Sequence, residues 1–262
     1  MSEGRPSEPP GALRAFDLTG RVAVVTGASS GLGAGVARGL ASVGARVAVV
    51  ARRGDRLAAL AAELDGLAVA CDLLDADALA DVVPAVADGL GPPEILVNAA
   101  GNIFSREAAE AEPLDDIRRT LDLNLVAPFL LAQAVQPHMV DVGRGAVVNI
   151  ASIGGIVGVP GIPQASYAAA KAGLSGLTVE LAVQWAAHSI RVNAVAPGFF
   201  RSEITDSLYD DEKGRAWLAR NTPLPGDGSV DDVVGAVLWL VSDAGRYVTG
   251  QTVVVDGGWT AR

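Results

Sequence analysis

Seven short apolar runs, rich in valine and isoleucine, alternate along the chain with longer runs rich in alanine and leucine. Most of the short runs carry apolar residues at consecutive positions, which is typical of strands buried on both faces of a parallel sheet. The longer runs have the length of the helices that connect parallel strands. This alternation predicts an α/β fold, with about seven strands in one three-layer, doubly wound parallel sheet.

Ligands bind beyond the carboxyl ends of the strands in such sheets, so the residues after each strand are the candidates for a functional site. The predicted strands are Val22–Thr26, Arg46–Ala51, Ala68–Ala70, Ile95–Asn98, Ala146–Ala151, Arg191–Ala196 and Thr252–Val255. The predicted helices are Leu32–Val43, Asp55–Leu64, Asp75–Gly89, Leu114–Val140, Gln164–His188 and Val230–Ser242. Residues 1–11 are polar and contain prolines, so we expect a disordered tail over residues 1–15, followed by a single domain over residues 16–262.

The charge of the chain argues against two kinds of partner. The net charge is −10, whereas nucleic acids and anionic membranes both select basic surfaces. The uncharged segment 145–170 contains glycines and prolines that disfavour a membrane-spanning helix, so we predict a strand followed by a loop. The single cysteine, Cys71, excludes an intrachain disulfide, fits a reducing cytoplasmic compartment and is expected to be a buried structural thiol.

A glycine-rich turn, Thr26-Gly-Ala-Ser-Ser-Gly-Leu-Gly33, follows the first predicted strand and precedes a helix. Glycines permit a tight turn and let backbone amides approach a pyrophosphate, and a helix N-terminus favours negative charge. A merely structural turn is the alternative, but the strand–turn–helix context favours dinucleotide binding. The residues predicted to contact the dinucleotide are Gly27, Ser29, Ser30, Gly31, Leu32 and Gly33.

The end of the second strand indicates which dinucleotide binds. A carboxylate at this position would bind the ribose of NAD, whereas Arg52 and Arg53 suit the 2′-phosphate of NADP. We therefore predict NADP as the cofactor and NAD as the less favoured alternative. Asp72, followed by Leu73, is placed to accept a hydrogen bond from the adenine amino group, or alternatively to cap the next helix.

Tyr167 and Lys171 lie four residues apart in a predicted helix and therefore project from the same face. The spacing is a specific signal, because Lys171 and Lys213 are the only lysines in the chain. A free phenol titrates near pH ~10, and a nearby ammonium lowers the pKa of a phenol. We predict that Tyr167 exchanges a proton with an alcohol or carbonyl substrate, with an ordinary surface pair as the alternative.

Two further polar residues occupy informative positions. Ser152 follows the fifth strand, where its hydroxyl would bond the substrate oxygen beside Tyr167 or cap a turn. Asn124 lies in an apolar helix four residues before Pro128, whose missing N–H predicts a kink and an unpaired carbonyl at Asn124. A water bound there would be a step of a proton relay or only a structural water, and the sequence leaves both open.

Together these residues resemble the short-chain dehydrogenase/reductase family, over nearly the whole chain from Phe16 onwards. The motifs that carry the resemblance are TGASSGLG at 26–33, NAAG at 98–101, Asn124, Ser152, YAAAK at 167–171, VNAVAPG at 192–198 and VTGQTVVVDGG at 248–258. The resemblance implies a Rossmann-type sheet and a catalytic tetrad of Asn124, Ser152, Tyr167 and Lys171. It also implies a homotetramer or homodimer formed through the helices at 114–140 and 164–188.

The resemblance further implies the rest of the cofactor site and the activity. The additional cofactor residues are Asn98, Ala99, Gly101, Pro197, Gly198 and Phe200, together with Tyr167 and Lys171. The expected activity is hydride transfer between NADP(H) and the carbon of a secondary alcohol or ketone. The alternatives are an NAD-dependent dehydrogenase of a sugar acid or polyol, and a dinucleotide-binding regulator without turnover. No spacing of histidine, cysteine and carboxylates resembles a metal site.

Residues 199–222 have no clear strand pattern, and their aromatic and aliphatic residues alternate with charged ones. We predict a mobile lid that closes over the substrate, with a surface helix packed on the core as the alternative. Its apolar side, together with Ile156, Val157 and Ile162, indicates a partly apolar carbonyl substrate. Many family members place a threonine on the cofactor amide near Ser202, and we assign Ser202 no definite role.

Overall fold

Seven parallel strands form one sheet in the computed structural model, which describes residues 11–201 and 205–261. The strands are β1 (Val22–Thr26), β2 (Arg46–Ala51), β3 (Leu67–Ala70), β4 (Pro93–Asn98), β5 (Gly145–Ile150), β6 (Ile190–Pro197) and β7 (Thr252–Val255). Their order is β3-β2-β1-β4-β5-β6-β7, with every neighbouring pair parallel. This confirms the predicted doubly wound sheet. The order reverses between β1 and β4, which is where such sheets bind ligands.

Helices cover both faces of this sheet. They are α1 (Gly11–Arg14), α2 (Gly31–Ser42), α3 (Gly54–Leu64), α4 (Ala76–Ala80), α5 (Val82–Leu90), α6 (Leu114–Leu121), α7 (Ala127–Val142), α8 (Ala165–Trp185), α9 (Asp206–Asp210), α10 (Glu212–Asn221) and α11 (Val230–Val241). Of the predicted tail, residues 1–10 lie outside the described residues. Residues 11–14 form α1, and the Ala15 carbonyl accepts a hydrogen bond of 2.9 Å from the amide of Ala244.

Two apolar clusters, one on each face of the sheet, explain why the strands are apolar at consecutive positions. Ala23 and Val25 of β1 pack in one cluster with side chains of α2 and α11. Val22 and Val24 pack in the other with side chains of α5, α7 and α8. Successive strand residues point to opposite faces, so both sets must be apolar. Full burial of each valine or leucine contributes about 1.5–3 kcal/mol before entropic costs.

Proline interrupts two segments that we predicted as single helices. The segment 114–140 changes from α6 to a π-helical turn over Asp122–Val126 and then to α7. This confirms the irregularity predicted around Asn124, since Pro128 offers no N–H to the preceding turn. The prediction of one helix over 75–89 was wrong, because α4 and α5 are separate. Pro84 cannot donate to the carbonyl of Ala80, where α4 ends.

The uncharged segment 145–170 contains β5, a short 3₁₀ helix over Ile153–Gly155, a loop and the start of α8. The glycines and prolines of the loop thus separate a strand from a helix, as predicted. Among the helices that the structure describes, none has both the length and the apolar character needed to cross a membrane.

Candidate active site

Two adjoining cavities open at the carboxyl edge of the sheet. The tyrosine cavity, of about 450 Å³, is lined by Ser152, Tyr167 and Lys171. The glycine-loop cavity, of about 330 Å³, is lined by the turn Gly27–Gly33 and by the residues that follow β2 and β3. The residues that line both are Leu32, Ala99 and Gly101. One elongated ligand can therefore extend from one cavity into the other.

Backbone packing explains why the turn Gly27–Gly33, the glycine loop, requires glycine. Gly27 has a φ of +67°, and a Cβ added to it would lie 2.7 Å from the Cα of Ala100. A Cβ on Gly33 would lie 2.4 Å from the carbonyl oxygen of Gly27. Thr26 Oγ1 accepts hydrogen bonds from the amides of Ala99 and Ala100, at 3.1 and 3.2 Å. The loops after β1 and β4 are thus held against each other at the switch point.

Two arginines follow β2 beside the glycine loop, as the sequence predicts. Arg53 donates to Ser29 Oγ from Nε at 3.0 Å, and from a terminal nitrogen to Ser29 and Ser30 Oγ, each at 2.8 Å. Arg52 is exposed and lines the same cavity. The guanidinium groups and the hydroxyls of Ser29 and Ser30 therefore line the same part of the glycine-loop cavity. This combination suits a phosphate group.

The segment after β3 completes the glycine-loop cavity. Leu73 and Cys71 are buried, and both line the cavity together with the exposed Asp72. The carboxylate of Asp72 accepts a hydrogen bond of 3.2 Å from the amide of Leu74, so it also caps a turn. Burial is the main cause that raises the pKa of Cys71. This environment fits the predicted structural thiol rather than a reactive thiolate.

Helix α8 brings Tyr167 and Lys171 to one face inside the tyrosine cavity. Lys171 is 3% exposed, and its Nζ donates to the carbonyl of Ile150 at 2.8 Å. The same Nζ lies 5.6 Å from the centroid of the Tyr167 ring. Ser152 hydrogen-bonds the side chain of Tyr167, and its Oγ also accepts from the amide of Gly154 at 3.0 Å. The structure therefore brings three of the four predicted catalytic side chains together.

The electrostatics of this group differ from the sequence-based expectation. We expected the Lys171 ammonium to lower the pKa of Tyr167. Instead, burial raises the pKa of Tyr167, and the hydrogen bond from Ser152 and the positive charge of Arg106 partly oppose this rise. Burial lowers the pKa of Lys171 from its ordinary 10.5 to about 7. With a pKa of about 7, Lys171 is only about half protonated near pH 7, so it provides less positive charge to its neighbour than an ordinary lysine would.

Asn124, the fourth predicted catalytic residue, is buried in the π-helical turn. Its amide nitrogen donates to the carbonyls of Asn102 and Thr120, at 2.9 and 2.8 Å. Its Oδ1 has no hydrogen-bond partner within residues 11–201 and 205–261. A Cβ placed on Gly101 would lie 2.8 Å from this oxygen and 3.3 Å from Lys171 Nζ. The two polar atoms therefore face the same point beside Gly101.

Asn98 lies below the cavities instead of lining them. Its amide donates to Asn149 Oδ1 at 2.9 Å and to the carbonyl of Pro128 at 3.3 Å. Asn149 in turn donates to Thr178 Oγ1 at 3.0 Å. This chain of polar side chains ties β4 to β5, α7 and α8. Asn98 is not among the described residues that line either cavity, so its contact with the cofactor stays a prediction.

The loop after β4 carries two residues that sequence reasoning missed. Arg106 lines the tyrosine cavity, and its charge and that of Tyr167 each shift the pKa of the other. Glu112 accepts hydrogen bonds from the amide of Ser166, at 3.2 Å, and from its hydroxyl. Glu112 thus caps the start of α8, where Gln164 provides no side-chain cap. The sequence signal that could have identified Arg106 and Glu112 was their position, because both follow a strand at the edge of the sheet where ligands bind.

The described residues of the segment 199–222, which are 199–201 and 205–222, pack over the cavity through an aromatic cluster. The ring centroid of Phe199 lies 5.4 Å from that of Trp217 and 4.8 Å from that of Trp259. Tyr209 donates to the carbonyl of Phe199 at 2.9 Å. The part of this segment that lines the tyrosine cavity, with the preceding strand end, is Pro197, Gly198, Phe199, Phe200, Thr205 and Leu208. Ser202 lies outside the described residues.

The three aliphatic residues assigned to the substrate side lie in different places. Ile162 lines the tyrosine cavity. Val157 packs against the aromatic cluster. Ile156 is 48% exposed and is not among the residues that line the cavity. Its predicted contact with the substrate is therefore not supported by the structure.

Burial of Lys171 predicts a pH-dependent stability. A lysine with a folded pKa of about 7 and an ordinary value of 10.5 binds fewer protons in the folded protein than in the unfolded chain. Its destabilising effect is therefore complete below pH ~7 and disappears as the pH rises towards ~10.5, at about 1.4 kcal/mol per pKa unit. Lys171→Met should raise the free energy of unfolding most at pH 6 and progressively less towards pH 10.

Urea denaturation of the cofactor-free protein over this pH range measures the effect. The matched control is Lys213→Met, which changes the only other lysine, an exposed one. The control should show no such trend. A difference between wild type and Lys171→Met that is constant with pH would contradict the lowered pKa.

Comparisons with known proteins agree with this arrangement. A family profile described as enoyl-(acyl carrier protein) reductase matches residues 27–260. The chain is 40% identical over 250 residues to a gluconate 5-dehydrogenase from Gluconobacter oxydans, covering 94% of this chain and 96% of that protein.

Two solved structures also match nearly the whole chain. A short-chain type dehydrogenase/reductase from Mycobacterium marinum is 37% identical with a TM-score of 0.90, covering 96% of this chain and 100% of that structure. A gluconate 5-dehydrogenase from Burkholderia cenocepacia, in complex with NADP and tartrate, is 36% identical with a TM-score of 0.90. In that case the match covers 96% of this chain and 99% of that structure.

The matches therefore cover the parts of the chain that form the sheet and line both cavities, and they do not depend on one short motif. Fold, motif order and relatives at this level of identity all lead to the same assignment. The chain belongs to the short-chain dehydrogenase/reductase family of oxidoreductases.

Proposed function

We propose that this protein is an NADP(H)-dependent enzyme that interconverts the secondary alcohol and the ketone of a small carboxylic acid. The observation that carries the proposal is the convergence of Ser152, Tyr167, Lys171 and Arg106 on one cavity. The first three are the groups needed to bind and protonate a carbonyl oxygen, and the fourth suits a carboxylate. A regulator without turnover would not need Tyr167 and Lys171, and both are present.

The residues of the glycine-loop cavity fit NADP. Glycines occupy the positions in the glycine loop where a Cβ would collide with neighbouring backbone atoms. The N-terminus of α2 favours a pyrophosphate. Arg52 and Arg53 would hold the 2′-phosphate, while Asp72 would accept from the adenine. The dinucleotide would extend towards Tyr167 past Leu32, Ala99 and Gly101, which line both cavities. The related Burkholderia cenocepacia structure contains NADP, which supports this choice.

The bound nicotinamide would supply or accept the hydride. The side chains of this protein would bind the substrate oxygen and transfer the proton. Ser152 would donate a hydrogen bond to the carbonyl oxygen and hold it against Tyr167. Tyr167 would give its phenolic proton to that oxygen in reduction and remove the hydroxyl proton in oxidation. Lys171 and the Oδ1 of Asn124 face a common point beside Gly101. Lys171 and a water held at this point by Asn124 Oδ1 would pass the proton between the phenol and solvent.

The 2′-phosphate assignment predicts the effect of Arg52→Ala. Loss of one charge-assisted contact should weaken NADPH binding by about 10- to 100-fold, while NADH binding should change little. Fluorescence titration with both cofactors measures the two dissociation constants. Arg246→Ala, a change of an exposed arginine outside both cavities, is the control. Equal weakening of NADPH and NADH would favour the NAD-dependent alternative.

The carboxylate assignment predicts the effect of Arg106→Gln. Removing this charge should raise the KM of an oxo acid about tenfold and leave the KM of the corresponding neutral methyl ester unchanged. The measurement is NADPH oxidation at varied substrate concentration. Tartrate, a dicarboxylate, is present in the related Burkholderia cenocepacia structure, which supports an acidic substrate. An equal rise for acid and ester would show that Arg106 does not bind a carboxylate.

We propose the remaining features from position and composition. Exposed apolar side chains on α7 and α8, among them Phe129, Val179 and Val183, would form the contact between copies of a homodimer or homotetramer. A single buried cysteine fits the reducing cytoplasm. The segment 199–222 would act as a lid on the single domain 16–262. Light scattering of the purified protein measures the oligomeric state.

A further inference from the structure

We infer that the substrate of this enzyme carries few hydroxyl groups: it is an oxo or hydroxy acid whose carbon chain is mostly apolar. This inference rests on the proposed function and specifies the substrate class within it. The inferred substrate differs from gluconate, the polyhydroxylated acid after which the related gluconate 5-dehydrogenases are named.

Aliphatic and aromatic side chains form one set of the residues that make up the wall of the tyrosine cavity. They come from the loop before α8 and from the segment after β6, and they are Ile153, Val159, Ile162, Phe199, Phe200 and Leu208. Ile153 and Phe200 are buried, at 2% and 6% exposure. Phe199 is fixed further by its contacts with Trp217 and Trp259. These side chains can contact apolar parts of a substrate, but none of them can form a hydrogen bond with it.

Most polar side chains that line the cavity already have a proposed role or a hydrogen-bond partner. Ser152 and Tyr167 act on the carbonyl oxygen, and Arg106 suits the carboxylate. Lys171 donates to the carbonyl of Ile150.

Two further polar side chains remain to be considered. Thr205 donates its hydroxyl to the carbonyl of Phe200. Gln164 points its amide towards Gly154, where an added Cβ would lie 2.8 Å from Nε2. Among the described lining residues, Gln164 is therefore the one side chain left to pair with a substrate hydroxyl.

The small number of polar side chains in the cavity determines the expected selectivity. A sugar acid would bring several hydroxyls into the cavity, and among the described lining residues only the amide of Gln164 is left to pair with them. Each hydroxyl that exchanges water for an apolar wall should lower kcat/KM by about tenfold. An unsubstituted chain of the same length would instead gain from contact with the wall, by about fourfold for each buried methylene.

A matched pair of substrates tests the inference. 5-Oxohexanoate and 5-keto-D-gluconate share the six-carbon skeleton, the carboxylate and the position of the ketone, and they differ in their hydroxyls. NADPH oxidation should give a kcat/KM at least tenfold higher for 5-oxohexanoate. The same comparison over 2-, 3- and 4-oxo acids and their hydroxylated counterparts makes the result independent of the distance between carboxylate and ketone.

The outcomes separate the inference from the proposed function. Equal kcat/KM values, or a preference for the hydroxylated acids, would overturn the inference and leave the oxidoreductase assignment intact. Turnover of no carbonyl compound with either cofactor would overturn the proposed function, and the inference with it.

A variant pair provides a second test on the same loop. Ile162→Asn introduces a polar group into the wall and should reduce the preference for 5-oxohexanoate by about tenfold. Ile156→Asn makes the same chemical change at an exposed position that does not line the cavity. This control should keep the wild-type preference. An unchanged preference in a folded Ile162→Asn variant would contradict the role of the wall.

Discussion

Tyr167→Phe should lower kcat/KM by about 10³-fold and leave NADPH affinity within about threefold of the wild-type value. The phenyl ring keeps the packing of the tyrosine but has no proton to exchange, so the loss falls on the chemical step and not on binding. NADPH oxidation with an accepted oxo acid measures the first quantity, and fluorescence titration measures the second.

Tyr247→Phe is the matched control, because Tyr247 is fully exposed and lies outside both cavities. It removes the same hydroxyl and should retain full activity. Turnover of Tyr167→Phe at more than a tenth of the wild-type rate would show that another group supplies the proton.

Gly33→Ala should abolish cofactor binding at micromolar concentrations and destabilise the fold. The new Cβ would lie 2.4 Å from the carbonyl oxygen of Gly27 and 2.7 Å from its carbonyl carbon. Backbone atoms on both sides of the glycine loop would then have to move, which should cost about 1–3 kcal/mol of stability. The displaced amides would no longer face the pyrophosphate, so NADPH affinity should fall at least 100-fold.

The control for this variant is Gly235→Ala. Gly235 is an exposed residue within α11, and a Cβ added to it meets no atom within 4 Å. Alanine should therefore stabilise the helix by about 0.5–1 kcal/mol and leave NADPH binding unchanged. Thermal denaturation and NADPH titration of both variants test the pair. Wild-type NADPH affinity in Gly33→Ala would contradict the role of the glycine loop.

The strands and the ligand edge were predictable because burial on both faces leaves a direct trace in the sequence. A strand such as β1 must be apolar at consecutive positions, and glycine must stand where two backbones meet. The irregular turn at Asn124 was predictable for a similar local reason, since Pro128 lacks an N–H. Pro84 carried the same signal for the break between α4 and α5, which we nevertheless predicted as one helix.

The electrostatics and the longer-range contacts of the site were not predictable in this way. Four-residue spacing placed Lys171 and Tyr167 on one face, but the depth of the lysine depends on strands distant in sequence. Burial therefore reversed the expected effect on the Tyr167 pKa. Arg106 and Glu112 belong to a loop without periodic pattern. Their positions beside Tyr167 and Ser166 depend on how that loop packs on α8.

In the proposed complex, the tyrosine cavity holds a carbonyl acid beside a cofactor bound in the glycine-loop cavity. A crystal structure of the complex with NADP and an unreactive hydroxy acid tests this most directly. We predict the hydroxyl oxygen of the acid within ~3 Å of Tyr167 Oη and Ser152 Oγ, its carboxylate against Arg106 and the 2′-phosphate against Arg52. A cofactor bound elsewhere, or an acid held away from Tyr167, would contradict the account.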